Sequence, residues 1–388
     1  MAQSLVYSDP KSASASGQAG ATRPYRLVSH PIPLLPPSDT PADNDDDGHV
    51  LVRFLAAPVN RVDLMVLAGQ YPVKPKYTVS QSSSSSQEDQ ESLPIPGFDG
   101  CAVVEHSTSP RFAKGDLVLP RDLGRGTWRT HAALPARALL GPLPQGVDPI
   151  DAALIRSGAL IARLLLDEVT PLHKGDWVIA SAGTSTVAQF LAQLAAQRGI
   201  RVALVVRDRP EGGERSLEAV KAKLLGQGAA AVLSESELEL ELALSSPDKR
   251  TLLPKAEPII LALDSVFGRV GELLTGALAP KGKFVLVGLL AGPTATLTLT
   301  TQHLFARQLS FLPFRGSEHL QRLGEVRADE LVAELARMFI EGTLKRPDVK
   351  VVDWTKATKE EVEEALELAV ATAKGKEAGH VKTVWKLS

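Results

Sequence analysis

Cysteine is nearly missing: Cys101 is the only one in 388 residues, which excludes an intramolecular disulfide and leaves no thiol set for a structural zinc. A surplus of positive charge is missing too. Lysine and arginine number 43 against 45 aspartate and glutamate, for a net charge of −2, so the chain lacks the basic footprint that grips a nucleic-acid backbone. Apolar residues make up 44% of the sequence, yet no uninterrupted run approaches the roughly 20 residues that cross a bilayer. The eight histidines fall at no ligand spacing; no metal site is expected and none of them is assigned to catalysis. What these absences leave is a soluble, globular, intracellular protein, long enough for two domains with cores of their own.

The N-terminal part leans towards β structure. Residues 3–7 and 25–33 are predicted strands. The segment between them, 11–23, is rich in Ser, Ala and Gly, poor in arginine, and follows Asp9, which is not the pattern of a mitochondrial presequence. Residues 36–48 form a polar turn, and HVLVRFLA at 49–56 alternates as a half-buried strand. In PVNRVDLMVLAGQYPVKP, residues 63–67 make one or two helical turns, after which Tyr71 projects from a Gly/Pro-rich loop. The low-complexity stretch TVSQSSSSSQEDQES at 78–92 is expected to be disordered. A glycine-framed entry to a strand follows at 94–105, a turn and strand at 111–120 and a strand at 126–134, then a long helix at 148–166.

The chain is organised around residues 174–210, KGDWVIASAGTSTVAQFLAQLAAQRGIRVALVVRDRP. WVIA is a short apolar run suited to a strand buried on both faces. Ser181 to Ser185 is a small polar turn in which Gly183 can take backbone angles other residues avoid. Val187, Phe190, Leu191, Leu194 and Ala195 lie at helical spacing, Gly199 closes that helix, and residues 201–206 form a second strand. This is a βαβ unit whose turn meets a helix N-terminus, where free amides and the helix dipole attract an anion. One glycine of G-x-G-x-x-G survives, so the turn alone is a weak fingerprint. The end of the second strand says more. Sites for NAD place an acid there to hold the ribose 2′-hydroxyl, whereas NADP sites admit arginine for the 2′-phosphate. Here Arg207 and Arg209 flank Asp208. An ordinary solvated turn is the plain alternative, and the location favours the cofactor.

Beyond residue 210 the alternation continues, with helices at 216–227 and 268–278 and a helix or loop at 235–244. Strands fall at 231–233, 258–264 and 282–288. A short helix at 302–308 and a strand at 309–314 complete a parallel sheet covered on both faces. A helix at 328–342, a strand at 349–353, a helix at 358–373 opened by a Thr358/Glu361 capping box, and a strand at 380–387 end the chain.

PVN-x-x-D at 58–63, PGFDG at 96–100, KGD at 114–116 and 174–176, and GKFVLVG at 282–288 together resemble the medium-chain dehydrogenase/reductase superfamily over nearly the whole chain. Within it, VNRVDLMVLAGQYPVKP, GTWRTH, and SAGTSTVAQ with its downstream VVRDRP resemble the 2-enoyl thioester reductases of mitochondrial fatty acid synthesis. The resemblance implies an α/β protein with two parts. A GroES-like, β-rich catalytic domain spans 1–156 and returns at 317–388, and a Rossmann domain at 157–316 binds NADPH. It implies a homodimer acting on enoyl-acyl carrier protein or enoyl-CoA in the mitochondrial matrix; the missing presequence leaves a cytoplasmic location as the alternative. The zinc-dependent branch is contradicted, because Phe98-Asp99 stands where a His-Glu pair would ligate metal.

Reduction of an α,β-unsaturated thioester builds negative charge on the thioester oxygen and needs a proton at the α-carbon. A tyrosine hydroxyl, ordinarily titrating near pH 10, stays protonated at neutral pH and can donate. The resemblance assigns that role to Tyr71 of GQYP; a loop tyrosine capping a carbonyl is the bland alternative. It places Asn60 beside the site, although capping the helix from Asp63 suits Asn60 equally, and Asp63 reads as a helix N-terminal residue. Trp128 lines the substrate pocket or is a plain core tryptophan. For NADPH the matching residues are Gly183, Thr184, Ser185 and Thr186 at the pyrophosphate turn, and Arg207, Asp208 and Arg209 at the second strand. Val287, Gly288, Leu289 and Leu290 lie under the nicotinamide, Pro313 and Phe314 close over it, and Lys382 reaches it from the C-terminal strand. The chain departs from the family at Gly158-Ala159, where an asparagine-proline pair is usual and the asparagine bonds the cofactor. Looser nicotinamide binding, a shifted substrate and a diverged, low-activity paralogue are the alternatives this opens; a zinc-free quinone or enone reductase with the same NADPH site but no acyl channel is a separate alternative.

Overall fold

The computed structural model describes residues 1–7, 25–36, 47–71, 73, 75–82, 90–209, 213, 216–244, 246–292, 294–374 and 381–388. The expected loop at 11–23, most of the turn at 36–48, and residues 83–89 of the serine-rich insert lie outside them. Met1–Arg156, Leu323–Thr343 and Asp348–Ser388 form one unit; Ser157–Arg322 and Leu344–Pro347 form a second.

The first unit begins with β1 (Ala2–Tyr7), β2 (Tyr25–His30), β3 (His49–Pro58), α1 (Arg61–Leu67), β4 (Thr78–Ser82), β5 (Gln90–Pro94) and β6 (Cys101–Ser107). It continues through β7 (Leu117–Pro120), β8 (His131–Pro135), β9 (Leu139–Leu140) and α2 (Pro149–Ala153). The second unit holds α3 (Leu160–Asp167), β10 (Trp177–Ala180), α4 (Thr186–Gln197), β11 (Arg201–Val206), α5 (Leu217–Gly226), β12 (Ala231–Ser234) and α6 (Glu235–Ala243). Then come β13 (Ile259–Asp264), α7 (Arg269–Ala277), β14 (Lys283–Leu286) and β15 (Ser310–Pro313). Gly316–Ile340, α8, is two helical stretches that meet at Gly324, whose φ of 75° no helix accommodates. The chain closes with β16 (Val349–Asp353), α9 (Lys359–Lys374) and β17 (Lys382–Lys386).

In the first unit the alternation of HVLVRFLAAP makes β3 the axis of a sheet ordered β16-β17-β3-β6-β7-β9, with β8 also on β3. The C-terminal strand β17 runs antiparallel to β3, Trp385 opposite Ala57, so the last residues of the chain complete a sheet begun near its start. Below it Trp128 and Trp385, both fully buried, meet edge to face at 5.9 Å, and Trp354 lies 6.0 Å from Trp385. Gly97 makes this packing possible: its φ is +101°, and a Cβ there would fall 2.5 Å from the Trp128 ring. Thr358 and Glu361 form the expected capping box, each side chain bonded to the other's backbone amide at 3.2 and 2.7 Å.

Three expectations need correction here. The insert at 78–92 is not without structure at its ends, because β4 and β5 pair antiparallel with Val79 opposite Leu93. Both of those side chains are buried in a small cluster with Val6, Val28 and Ile95, which gives the serine tract two apolar anchors. The strand expected at 126–134 starts only at His131. Upstream, the Thr127 and Trp128 amides are taken by Gly97 O and Pro96 O and follow the core instead of a ladder. The long helix at 148–166 is α2, a wide turn of π type at Ile155–Ala159, and α3. Such turns insert a residue and often mark functional positions; this one carries buried Arg156. The short helix expected at 302–308 is present as a π turn at Gln302–Ala306.

In the second unit six parallel strands stand in the order β12-β11-β10-β13-β14-β15. Counted from β10 this is 3-2-1-4-5-6, the doubly wound order, whose ligands sit beyond the carboxyl ends of the strands where the order reverses. That reversal lies between β10 and β13, so Ser181, Asp264 and the turn before α4 mark the crevice.

Candidate active site

Within the first unit the candidate residues gather where β17 runs past β3 and α1. The Val59 amide donates to Thr383 O at 2.9 Å, which seats Lys382 next to Asn60 although 322 residues separate them. Lys382 Nζ donates to Asn60 Oδ1 at 2.5 Å, and Asn60 Nδ2 donates to Asp99 Oδ2 at 2.6 Å. The Asn60 backbone amide donates to Asp63 Oδ2 at 2.7 Å, one half of a capping box at the start of α1. Asp63 is thus the helix N-terminal residue expected, and Asn60 both heads that helix and gives its side chain to Lys382 and Asp99. Behind them Arg156 Nη1 lies 3.3 Å from Asp99 Oδ1, and Arg156 Nε donates to Arg121 O at 3.0 Å.

Burial governs the charges. Desolvation pushes the Asp63 carboxyl up to about 8; the Asp99 charge adds to this, against amide bonds from Asn60 and Phe98 and the attraction of Lys382. Desolvation likewise pushes the Lys382 ammonium down, opposed by Asp99 and Asp63. The folded pKa of Asp63 exceeds the ordinary carboxylate value of about 4, so the folded chain holds the extra proton between about pH 4 and 8. Its contribution to stability is full below that window and lost as pH rises through it. Asp63→Asn keeps an acceptor for the Asn60 amide and removes the titration. Its urea midpoint should gain on that of the parent steadily from pH 5 to pH 8, and parallel pH curves for the two proteins would sink the assignment.

Tyr71 is half-buried in the loop after α1, its ring 6.2 Å from that of Phe98 and tilted by 58°. Trp128 lies in the core, its ring fully buried and its indole N–H donating to Pro58 O at 3.2 Å.

In the second unit the turn after β10 differs from expectation in one residue. Ala182, not Gly183, holds the positive φ, 51°. Gly183 is needed for space instead, since a Cβ there would fall 2.9 Å from Leu204 Cβ and 3.0 Å from Val206 Cγ1. Ser185 caps α4 by accepting from the Ala188 amide at 3.2 Å, and Gln189 Nε2 holds Thr184 O at 2.8 Å. The Thr184 and Thr186 amides have no acceptor among the described residues, as the first amides of a helix require an outside partner. At the reversal Ser181 Oγ donates to Asp264 Oδ1 at 2.6 Å, and Asp264 also takes the Val266 and Phe267 amides at 2.9 and 3.0 Å.

At the end of β11, Arg207 and Asp208 are exposed. Partial burial alone would push the Asp208 carboxyl up, but bonds from Ser234 and Ser236 hold it below the usual range. The Ser236 hydroxyl and amide reach it at 2.9 and 3.4 Å, tying the loop to the first turn of α6. Val287 and Gly288 donate to Asp264 O, and Leu289 and Leu290 are exposed beyond them. Pro313 is exposed at the end of β15, whereas Phe314 is buried and stacks on His319 at 4.4 Å. Gly158 faces α4: a Cβ there would lie 3.0 Å from Thr186 Cγ2 and from the Phe190 ring, so a larger side chain would crowd both.

The sequence alone assigns no site role to Asp99, Arg156, Ser181 or Asp264. Asp264 had a signal, an acid ending the apolar strand PIILALD. Arg156 had none.

No family model matches the chain. It is 29% identical over 306 residues to the mitochondrial enoyl-[acyl-carrier-protein] reductase of Mus musculus, covering 78% of this chain and 74% of that one. The corresponding enzyme of Eremothecium gossypii is 29% identical, covering 79% and 80%. Among solved structures, the mitochondrial 2-enoyl thioester reductase Etr1p/Etr2p heterodimer from Candida tropicalis superposes with a TM-score of 0.74 over 99% of both chains at 23% identity. A putative NADPH:quinone reductase from Bacillus thuringiensis does so with 0.69 over the whole of both at 20%. These solved structures share the architecture of a β-rich unit with a doubly wound one, and in sequence the chain is similar to mitochondrial enoyl-[acyl-carrier-protein] reductases.

Proposed function

We propose that the protein is an NADPH-dependent trans-2-enoyl thioester reductase, working on acyl carrier protein or CoA thioesters at the last reductive step of mitochondrial fatty acid synthesis. One observation carries the reading: curated relatives matching more than three-quarters of the chain are enoyl-[acyl-carrier-protein] reductases. A related structure, the Etr1p complex, holds NADP and crotonyl-CoA. The residues fit the cofactor. Two amides without acceptors lie at the start of α4, Gly183 leaves room beside β11, and Arg207 and Arg209 follow that strand. NADPH, when bound, supplies the hydride for the β-carbon. The second unit, in this reading residues 157–316, binds its pyrophosphate at the Gly183–Thr186 turn and its 2′-phosphate at the arginines. Residues 1–156 and 317–388 supply the chemistry: Tyr71 donates to the thioester oxygen as charge builds there, and Asn60 and Lys382 orient the site. In this reading the protein works in the mitochondrial matrix as a homodimer; the mitochondrial location of the relatives supports the first part.

Oxidation of NADPH followed with crotonyl-CoA, a long-chain enoyl-CoA and a small quinone tests this. Turnover of the thioesters is the expected result. Activity with the quinone alone would make it a quinone reductase, and bound NADPH without turnover would make it a cofactor-binding paralogue.

A further inference from the structure

The reaction just described makes no use of Asp99, yet both of its oxygens are engaged in the buried cluster. Oδ2 takes the Asn60 amide N–H at 2.6 Å, and Oδ1 faces the Arg156 guanidinium at 3.3 Å, with Asp99 only 1% exposed. At the other end of the same amide, Asn60 Oδ1 accepts from Lys382 Nζ at 2.5 Å. Carboxylate, amide and ammonium therefore stand in a row. This order admits one orientation of the amide: a flip would set its NH2 against the ammonium and its oxygen against the carboxylate. Asp63 does not perform this task, since it binds the backbone amide of Asn60 and not the side chain. Arg156 holds the far side of Asp99 and is itself fastened to Arg121 O at 3.0 Å from the wide turn Ile155–Ala159.

We propose that Asp99 is a positioning residue. Backed by Arg156, it locks the Asn60 side chain so that the amide oxygen holds the Lys382 ammonium in place for the cofactor. The inference rests on the assignment of Asn60 and Lys382 to the site, and it adds a buried acid–amide–ammonium row that sets their geometry. Arginine backs the row because its fork can face Asp99 and the Arg121 carbonyl at once, which a lysine cannot.

The test is a double-mutant cycle on NADPH dissociation constants, read from cofactor fluorescence without any thioester. Asp99→Asn and Asn60→Ala should each weaken NADPH about tenfold, the worth of a hydrogen bond to a charged group. The double variant should bind within about twofold of Asn60→Ala alone, because Asp99 acts through the missing amide. Asp99→Asn binding like the parent, or losses that multiply to about a hundredfold in the double variant, would overturn the proposal. A purely structural Asp99 would weaken binding by the same factor in both backgrounds. If Asp99→Asn does not fold, Arg156→Lys serves: an expected weakening of about threefold must vanish in the Asn60→Ala background, and its full persistence there refutes the role. A parent protein that binds NADPH but reduces no enoyl thioester defeats the reductase reading and leaves this cycle intact. One that binds no NADPH defeats both.

Discussion

Tyr71→Phe should lower kcat for enoyl thioester reduction by roughly 10²–10³-fold, the usual loss of one oxyanion donor, while NADPH affinity stays within about twofold. The substitution removes one hydroxyl and keeps the ring, so the contact with Phe98 at 6.2 Å and the course of the loop are preserved. The loss falls on kcat because the thioester oxygen becomes strongly basic only as hydride reaches the β-carbon. A donor that strengthens its bond at that moment stabilises the transition state more than bound substrate. A tyrosine that merely packs the loop would instead act through KM or stability. Steady-state rates with crotonyl-CoA, set beside NADPH fluorescence titrations, separate the two cases. Near-normal turnover in the variant would remove Tyr71 from the mechanism.

The legible part of this chain is the part built from local pattern. WVIA, RVALVV and PIILALD are apolar runs of strand length separated by amphipathic helices, and they fold as β10, β11 and β13 of a parallel sheet. The Thr358 and Glu361 spacing became a capping box because both partners lie within one turn. Three-dimensional closure was not legible. Periodicity cannot show that β17 returns to pair with β3, and that pairing alone brings Lys382 to Asn60. Arg156 falls within a span whose pattern reads as one long helix; only the fold reveals that the helix widens there and buries the guanidinium against Asp99. The sequence suggests backbone freedom at Gly183, yet the positive φ falls on Ala182, while the glycine is needed for the close approach of Leu204 and Val206. Serine content concealed the hairpin of β4 and β5, since its two buried anchors, Val79 and Leu93, lie at opposite ends of the tract.

Arg207→Ala combined with Arg209→Ala should raise the KM for NADPH roughly a hundredfold or more and leave that for NADH nearly unchanged. Charge-assisted bonds to a phosphate are worth about 1.5–3 kcal/mol each, and each 1.4 kcal/mol is about tenfold. Asp208 is what makes the contrast sharp. In an NAD site the acid at this place accepts from the ribose 2′-hydroxyl. Here the Asp208 carboxylate already takes the Ser236 hydroxyl and amide at 2.9 and 3.4 Å, so it braces the loop against α6 between the two arginines. The doubly wound strand order puts that loop at the carboxyl end of β11, the side on which such sheets bind their nucleotides. Truncating the arginines removes the phosphate's partners without freeing an acid for the hydroxyl, so NADH gains no new contact. Each single variant should lose a part of the NADPH preference, and the ratio of kcat/KM for the two cofactors is the quantity to follow. An equal loss for NADPH and NADH would mean that the arginines serve the fold of this loop and not the 2′-phosphate.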